Sequence, residues 1–364
     1  MKIGIISHLK HPICQPFAGG LEAFTYQITK ALVAMGHQVI LFASESSDVQ
    51  LPLIPILSDH NYDNQSGTRK KIRDLPSEYI AEHHAYFKLM NELDGYGFDV
   101  IFNNSLHYIP ITMANTLSTP ILTVLHTPPF YELKLAVKAE RNAPVVNYCT
   151  VSRQSAKNWA GMISDCPVIL NGIQINDWSF FPRSASPAYA IWFGRIHPDK
   201  GLHHAILAAR KAGLPLKVAG GIADQKYYEN KIVPLLGQDI SLLGLLDHNA
   251  LNTEIGNASV CLVTPCWQEP FGLVVAEAMA CGTPIAGFRI GALPELVTPE
   301  TGYLVESGNV DELCKAIQQA QKLERQKVRD HALAKFRFGR MAEEYETLLN
   351  TISLQKKLTM PYDR

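Results

Sequence analysis

Nothing in this sequence supports a disulfide frame. The seven cysteines, at 14, 149, 166, 261, 266, 281 and 314, are odd in number and form no C-x-x-C. They read as reduced thiols of a cytoplasmic protein, not as bridges or a zinc knuckle. No apolar run approaches the ~20 residues that a membrane-spanning helix needs. The opening stretch Met1-Lys2-Ile3-Gly4-Ile5-Ile6-Ser7-His8 reads as a short buried strand, too short and without the small-residue cleavage site of a signal peptide. Charge of one sign is also missing: 33 Lys and Arg stand against 34 Asp and Glu, so no global field draws nucleic acid or an anionic membrane. The longest basic run, Arg69-Lys70-Lys71 with Arg73 beside it, reads as a solvated loop, with peripheral membrane contact as its alternative. No D-x-D occurs, so no carboxylate clamp for a metal is expected.

What is present is enough apolar residue, 47%, for a sizeable core. A chain of 364 residues points to two domains. Short β-branched runs at 2–6, 38–42, 100–103, 121–125 and 145–151 alternate with helical patterns such as 22–35. That alternation implies βαβ units and a parallel sheet. The turn-rich stretch 171–187 reads as a linker. Strands then restart at 189–193, 216–219, 240–243, 260–263 and 284–286, with helices at 202–212, 226–236, 247–258 and 272–281. Two such doubly wound units make a cleft, with ligands beyond the carboxyl ends of the strands. A final helical pattern at 340–354 places Met341, Tyr345, Leu348, Leu349 and Ile352 on one side. The expected division is 1–172, 173–337 and a crossover helix with its tail at 338–364.

Four constellations carry chemistry. Gly19-Gly20 opens a helix after the first strand, where backbone N–H groups face an anion, or where a plain turn simply starts a helix. It is not G-x-G-x-x-G, which counts against a dinucleotide site. Arg195 and Lys200, in Gly194-Arg195-Ile196-His197-Pro198-Asp199-Lys200-Gly201, lie between a strand end and a helix start; a guanidinium fork and an ammonium together suit a diphosphate. Glu269 and Glu277 flank Pro270-Phe271-Gly272. The amides of Gly272, Leu273 and Val274 open the following helix and can take phosphate oxygens. Glu277 sits in an apolar run, where a carboxylate is costly unless hydrogen-bonded or salt-bridged. His126, before Thr127-Pro128-Pro129, follows a buried strand; it is either structural or in contact with a reacting group.

With Glu269 to Glu277 as E-x7-E around Pro-Phe-Gly, Gly-Arg-Ile-x3-Lys-Gly at 194–201, Gly19-Gly20, His126-Thr127 and Asn171-Gly172-Ile173, the chain resembles the retaining GT-B glycosyltransferases of family 4 over nearly its whole length. Many relatives carry Asp where this chain has Gln174. The resemblance implies two Rossmann-like α/β domains facing a central cleft, with the C-terminal helix crossing back to the first. It implies a nucleotide-sugar donor on the second domain and an acceptor on the first. Arg195 and Lys200 then hold the diphosphate with the backbone at Gly19-Gly20 and at Phe271 to Val274. Glu269 contacts the donor sugar, Glu277 the ribose and His126 the reacting sugar, while the base rests near Leu243–Leu245. The loop 287–291 looks like the family's later glycine loop.

The function so implied is retaining, metal-independent transfer from a UDP-sugar such as UDP-glucose, with an α-linkage, to an unidentified small-molecule, glycan or lipid acceptor. No cofactor, nucleic acid or integral membrane segment is called for. Alternatives are a GT-B sugar-nucleotide epimerase or hydrolase, an NAD-dependent dehydrogenase and a non-catalytic sugar-binding module. Phe17, Tyr108, Phe130 and Tyr131, on the loops 7–18, 103–112 and 127–135, either form a stacking surface for an acceptor or cover their own loop cores. The loop 57–74 also faces the acceptor in this reading.

Overall fold

A computed structural model describes residues 1–58, 77–140, 145–164 and 166–359. The basic run 69–73, most of the loop 57–74 and the residues after 359 lie outside the described residues. The chain divides into two compact units. One comprises Met1–Val151, Ser155–Ile169 and residues from Ala342 on; the other comprises Ser152–Gln154 and Leu170–Met341.

In the first unit six strands form one parallel sheet: β1 (Lys2–Ser7), β2 (Gln38–Ser44), β3 (Leu53–Leu57), β4 (Val100–Asn104), β5 (Ile121–Leu125) and β6 (Val146–Thr150). Their order is β3-β2-β1-β4-β5-β6. The central strands are apolar throughout because helices cover both faces of such a sheet: Ile3, Ile5, Ile6, Ile101, Phe102, Ile121 and Leu122 are buried. The second unit repeats the plan with β7 (Ala190–Phe193), β8 (Leu216–Ala219), β9 (Ile240–Gly244), β10 (Val260–Val263), β11 (Ile285–Phe288) and β12 (Gly302–Val305). Its order, β12-β11-β10-β7-β8-β9, is the same arrangement. In each sheet the order reverses between the first and fourth strands, β1/β4 and β7/β10. That is the switch point where doubly wound sheets open a crevice for ligands.

The C-terminal helix Phe338–Thr359 starts in the second unit, and its residues from Ala342 on group with the first. There Tyr345 packs edge-on against Phe24, with ring centroids 5.5 Å apart, and tilts against Phe102 at 5.2 Å. No helix among the described residues is long and apolar enough to cross a membrane.

Two expectations change. The helix expected at 226–236 is a chain of short turns: Gln225–Tyr227 α-helical, Tyr228–Ile232 π-helical and Val233–Leu235 3-10. Pro234 has no N–H to continue an α-helical ladder. The expected linker 171–187 is folded into the second unit. Ile173, Ile175 and Trp178 are buried, and Ile173 exchanges backbone hydrogen bonds with Phe336 and Phe338 at 2.8 and 2.9 Å.

Candidate functional site

In the second unit, three loops at the carboxyl ends of β7, β10 and β11 lock together. The first runs from Gly194 to Gly201. Gly201 takes φ +63°, and a Cβ there would stand 2.1 Å from the Thr264 carbonyl, so only glycine fits. Cys266 N–H donates to the Asp199 carbonyl at 2.7 Å, and the Thr264 hydroxyl donates to the Gly201 carbonyl at 3.0 Å. The third loop closes from the other side: Ala292 N–H donates to the Glu269 carbonyl at 2.9 Å. Gly291, at φ +59°, would put a Cβ 2.3 Å from that same oxygen. The glycine loop 287–291 therefore holds the backbone of Glu269.

This lacing joins the predicted side chains. Lys200 Nζ lies 2.6 Å from Glu269 Oε2. Trp267 Nε1–H donates to the same oxygen at 2.9 Å, and the ammonium sits 5.5 Å from the Trp267 ring centroid. Both members of the ion pair are largely buried, so water screens them less than it does a surface pair. Arg195 is different. Its side chain is 61% exposed, its nearest carboxylate, Asp199, is 4.0 Å away, and His197 engages Asp199 at 2.6 Å. The guanidinium stays available to an anion.

Helix Leu273–Ala280 begins at Gly272, which is at φ +95°. The amides of Leu273 and Val274 have no acceptor among the described residues. Such free N–H groups at a helix start attract anions. Phe271 is a core residue, edge-on to Phe336 at 5.9 Å. On the same helix Glu277 has neither an ion pair nor a hydrogen bond among the described residues, so the salt bridge that would make it structural does not form. Burial pushes its pKa up to about 7.

The turn at Gly220-Gly221 pairs with the first loop through Gly194 N–H to the Ala219 carbonyl and Ile196 N–H to the Gly221 carbonyl, at 3.0 and 2.8 Å. Beside it Leu245 is 84% exposed, 3.4 Å from where a Cβ on Gly221 would be. Leu243 is half-buried on β9. These residues make an apolar shelf on the rim that carries Arg195.

The first unit gathers a different set at its own switch point. Gly19 caps helix Gly20–Ala34, and both glycines are exposed. The Glu22 carboxylate curls over that end, 3.1 Å from a Cβ position on Gly19. Glu22 is buried and 3.0 Å from His8 Nε2. Burial pushes its pKa up, but the hydrogen bond and charge of His8 outweigh this and hold it below the usual range. Just after β5, His126 places Nε2 2.8 Å from Asn104 Oδ1 and stands edge-on to Phe24 at 4.8 Å. Burial, then the nearby His8, lower its pKa to about 3, so the ring is neutral. Of the expected aromatic surface, Phe17 packs on Tyr26 at 5.3 Å, and the Tyr108 hydroxyl and His83 Nε2 are 2.7 Å apart. Phe130 and Tyr131 are exposed.

Sequence reasoning missed Trp267, His8, Glu22 and Asn104, and it left the role of the glycine loop 287–291 open. Only Trp267 carried a signal, its place two residues before Glu269. Asn104 meets His126 through strand pairing, and His8 meets Glu22 because the loop after β1 folds back onto helix Gly20–Ala34. No group of three or more His, Cys, Asp or Glu side chains gathers as for a metal among the described residues.

The sequence matches the profile of Glycosyltransferase Family 4 over residues 18–176 and that of Glycosyl transferases group 1 over residues 176–334. A D-inositol 3-phosphate glycosyltransferase of Mycobacterium avium is 31% identical over 362 residues, covering 87% of this chain and 84% of that one. A glycogen synthase of Mycobacterium tuberculosis is 31% identical over 168 residues, 43% of this chain, and the match spans only 39% of that enzyme. Sucrose-phosphate synthase from Thermosynechococcus elongatus has a TM-score of 0.73 at 22% identity, covering 97% of this chain and 99% of that one. Anabaena HepE in complex with UDP-glucose has a TM-score of 0.71 at 19% identity, covering 96% and 100%. At these identities the structural likeness is one of fold.

Proposed function

Because the chain belongs to glycosyltransferase family 4, we propose that it moves a sugar from a nucleotide-sugar donor to an acceptor, with retention and without a metal. The observation that carries this reading is the convergence at the β7/β10 switch point of the Lys200–Glu269 pair, the exposed Arg195 and the free amides of Leu273 and Val274.

In this reading the donor diphosphate takes Lys200 from Glu269, and the freed carboxylate accepts hydrogen bonds from the donor sugar. As the bond from anomeric carbon to phosphate oxygen breaks, negative charge grows on the departing diphosphate. Lys200, Arg195 and the helix amides are already placed to stabilise it. The sugar becomes oxocarbenium-like. The acceptor attacks from the side the diphosphate leaves, and a phosphate oxygen takes its proton. This retains configuration, gives an α-linkage and needs no carboxylate nucleophile. Glu277 accepts the ribose hydroxyls, Leu243 and Leu245 support the base, and His126 meets the reacting sugar. Gly19 and Gly20, exposed at their helix start, assist at the diphosphate.

A UDP-sugar such as UDP-glucose is the donor we favour; HepE, solved with UDP-glucose, supports the choice by fold. The acceptor is a small molecule, glycan or lipid, and the reaction is cytoplasmic. The test is incubation with UDP-sugars and an acceptor panel in EDTA, with the product anomer read by proton coupling. An α-linked product at a rate unchanged by EDTA is expected. A β-linked product or strict metal dependence would contradict the reading. Conversion of the sugar nucleotide without acceptor would favour an epimerase or hydrolase.

A further inference from the structure

The hydrogen bond between His126 and Asn104 has a chemical direction. An amide oxygen only accepts, so at 2.8 Å from Asn104 Oδ1 the imidazole Nε2 carries the proton. In a neutral ring the other nitrogen is then an acceptor. Nδ1 has no partner among the described residues and is not among the occluded polar atoms. It keeps access to the outside. Asn104 is completely buried at the end of β4, where β1 pairs with it at Ser7. Its Nδ2 is occluded and without a partner. A buried amide left with an unpaired donor is unfavourable for folding, so Asn104 does little for the fold beyond its bond to His126. The other groups facing the ring are Phe24 on helix Gly20–Ala34 and His8 on the loop after β1. His8 is itself held by Glu22, with His11 beside it at 6.3 Å between ring centroids.

We propose that Asn104 is a positioning residue. It fixes His126 in the Nε2–H tautomer, so that Nδ1 is presented as a hydrogen-bond acceptor to a hydroxyl of the bound substrate. The role in turnover rests on the functional reading above; the tautomer does not.

Two measurements test the idea separately. Nitrogen NMR of the full chain labelled in histidine reads the tautomer of His126 directly, with or without activity. Nε2 protonated and Nδ1 bare is expected; a proton on Nδ1 would mean that the Asn104 amide faces the other way and would overturn the proposal. Variants then test the consequence. Asn104→Leu should leave the melting temperature unchanged or raised while kcat falls about 10-fold with little change in KM, the scale on which an orienting partner of a histidine acts. Loss of stability with normal kcat would show a structural residue and overturn the role. Asn104→Asp keeps an acceptor for Nε2–H, and its carboxylate raises the imidazole pKa. This variant should work near the wild-type rate at pH 8 and lose activity on acidification, as Nδ1 gains a proton. A profile superimposable on the wild type from pH 5.5 to 8 would contradict the assignment. If no nucleotide sugar is turned over at all, the functional reading fails while the NMR result still stands or falls alone.

Discussion

The two units share one strand order and differ in how they finish it. At the β7/β10 switch point three loops are laced by backbone hydrogen bonds around glycines that tolerate no Cβ. The lacing sets Lys200 on Glu269 and leaves Arg195 outward. At the β1/β4 switch point the polar groups that gather are a buried pair, His8 and Glu22, and a neutral His126 braced by one asparagine. Matching backbones thus carry a Lys–Glu pair beside an outward guanidinium in one case, and a His–Glu pair beside a neutral imidazole in the other. The difference lies in the loops, where fold leaves function free to vary.

The sharpest way to break this contrast is through the charges. Arg195→Ala combined with Lys200→Ala should lower kcat/KM by about 10³-fold or more, as expected when preorganised stabilisation of a leaving group is removed. Steady-state rates on the assigned donor check it; a loss under tenfold would remove both residues from the diphosphate site. The next largest effect is on the lacing. Gly201 and Gly97 have nearly the same φ, +63° and +65°, but a Cβ on Gly201 meets a carbonyl at 2.1 Å while one on Gly97 meets nothing within 4 Å. Gly201→Ala should destabilise by about 3 kcal/mol or more and Gly97→Ala by about 1 kcal/mol. Equal losses in denaturant titrations would show that strain alone, not the loop contact, matters.

Glu277 gives the subtlest effect. Burial raises its pKa to about 7 in the folded chain from the ordinary 4.5. The native state therefore holds a proton that the unfolded chain releases earlier. The stability this contributes is full below about 4.5 and is lost as the pH rises through 7. Glu277→Gln should stabilise the free protein at pH 8 by about 1–3 kcal/mol and weaken donor binding. In the wild type, ribose hydroxyls donating to the carboxylate favour its ionised form, so donor affinity should fall as the pH drops from 8 to 6. Calorimetric titration at the two pH values reads this, and a pH-independent affinity would place the ribose elsewhere.

Much of this was legible in the sequence because it is local. Strands such as β5 and β8 show as short apolar runs, and Arg195, Lys200, Glu269 and Glu277 sit at fixed offsets from glycines. Two edge strands, β3 and β12, were harder. β3 contains Pro55, which an edge position tolerates and a propensity reading rejects. β12, four residues long, opens on Gly302 at an edge of the second sheet. The contacts of Asn104 and Gly291 were illegible for a different reason. Asn104 meets His126 because β4 pairs with β5, and Gly291 meets Glu269 because β11 pairs with β10. Spacing along the chain carries neither fact.

The most direct test of the account is a thermal-shift panel of UDP-, GDP- and ADP-sugars against the wild-type chain and the Arg195→Ala, Lys200→Ala double variant, since a ligand that binds the native state raises its stability. The account predicts a melting temperature raised by at least one nucleotide sugar in the wild type and by none in the variant. A shift that survives the double substitution, or none in the wild type, would contradict a donor site at the β7/β10 switch point.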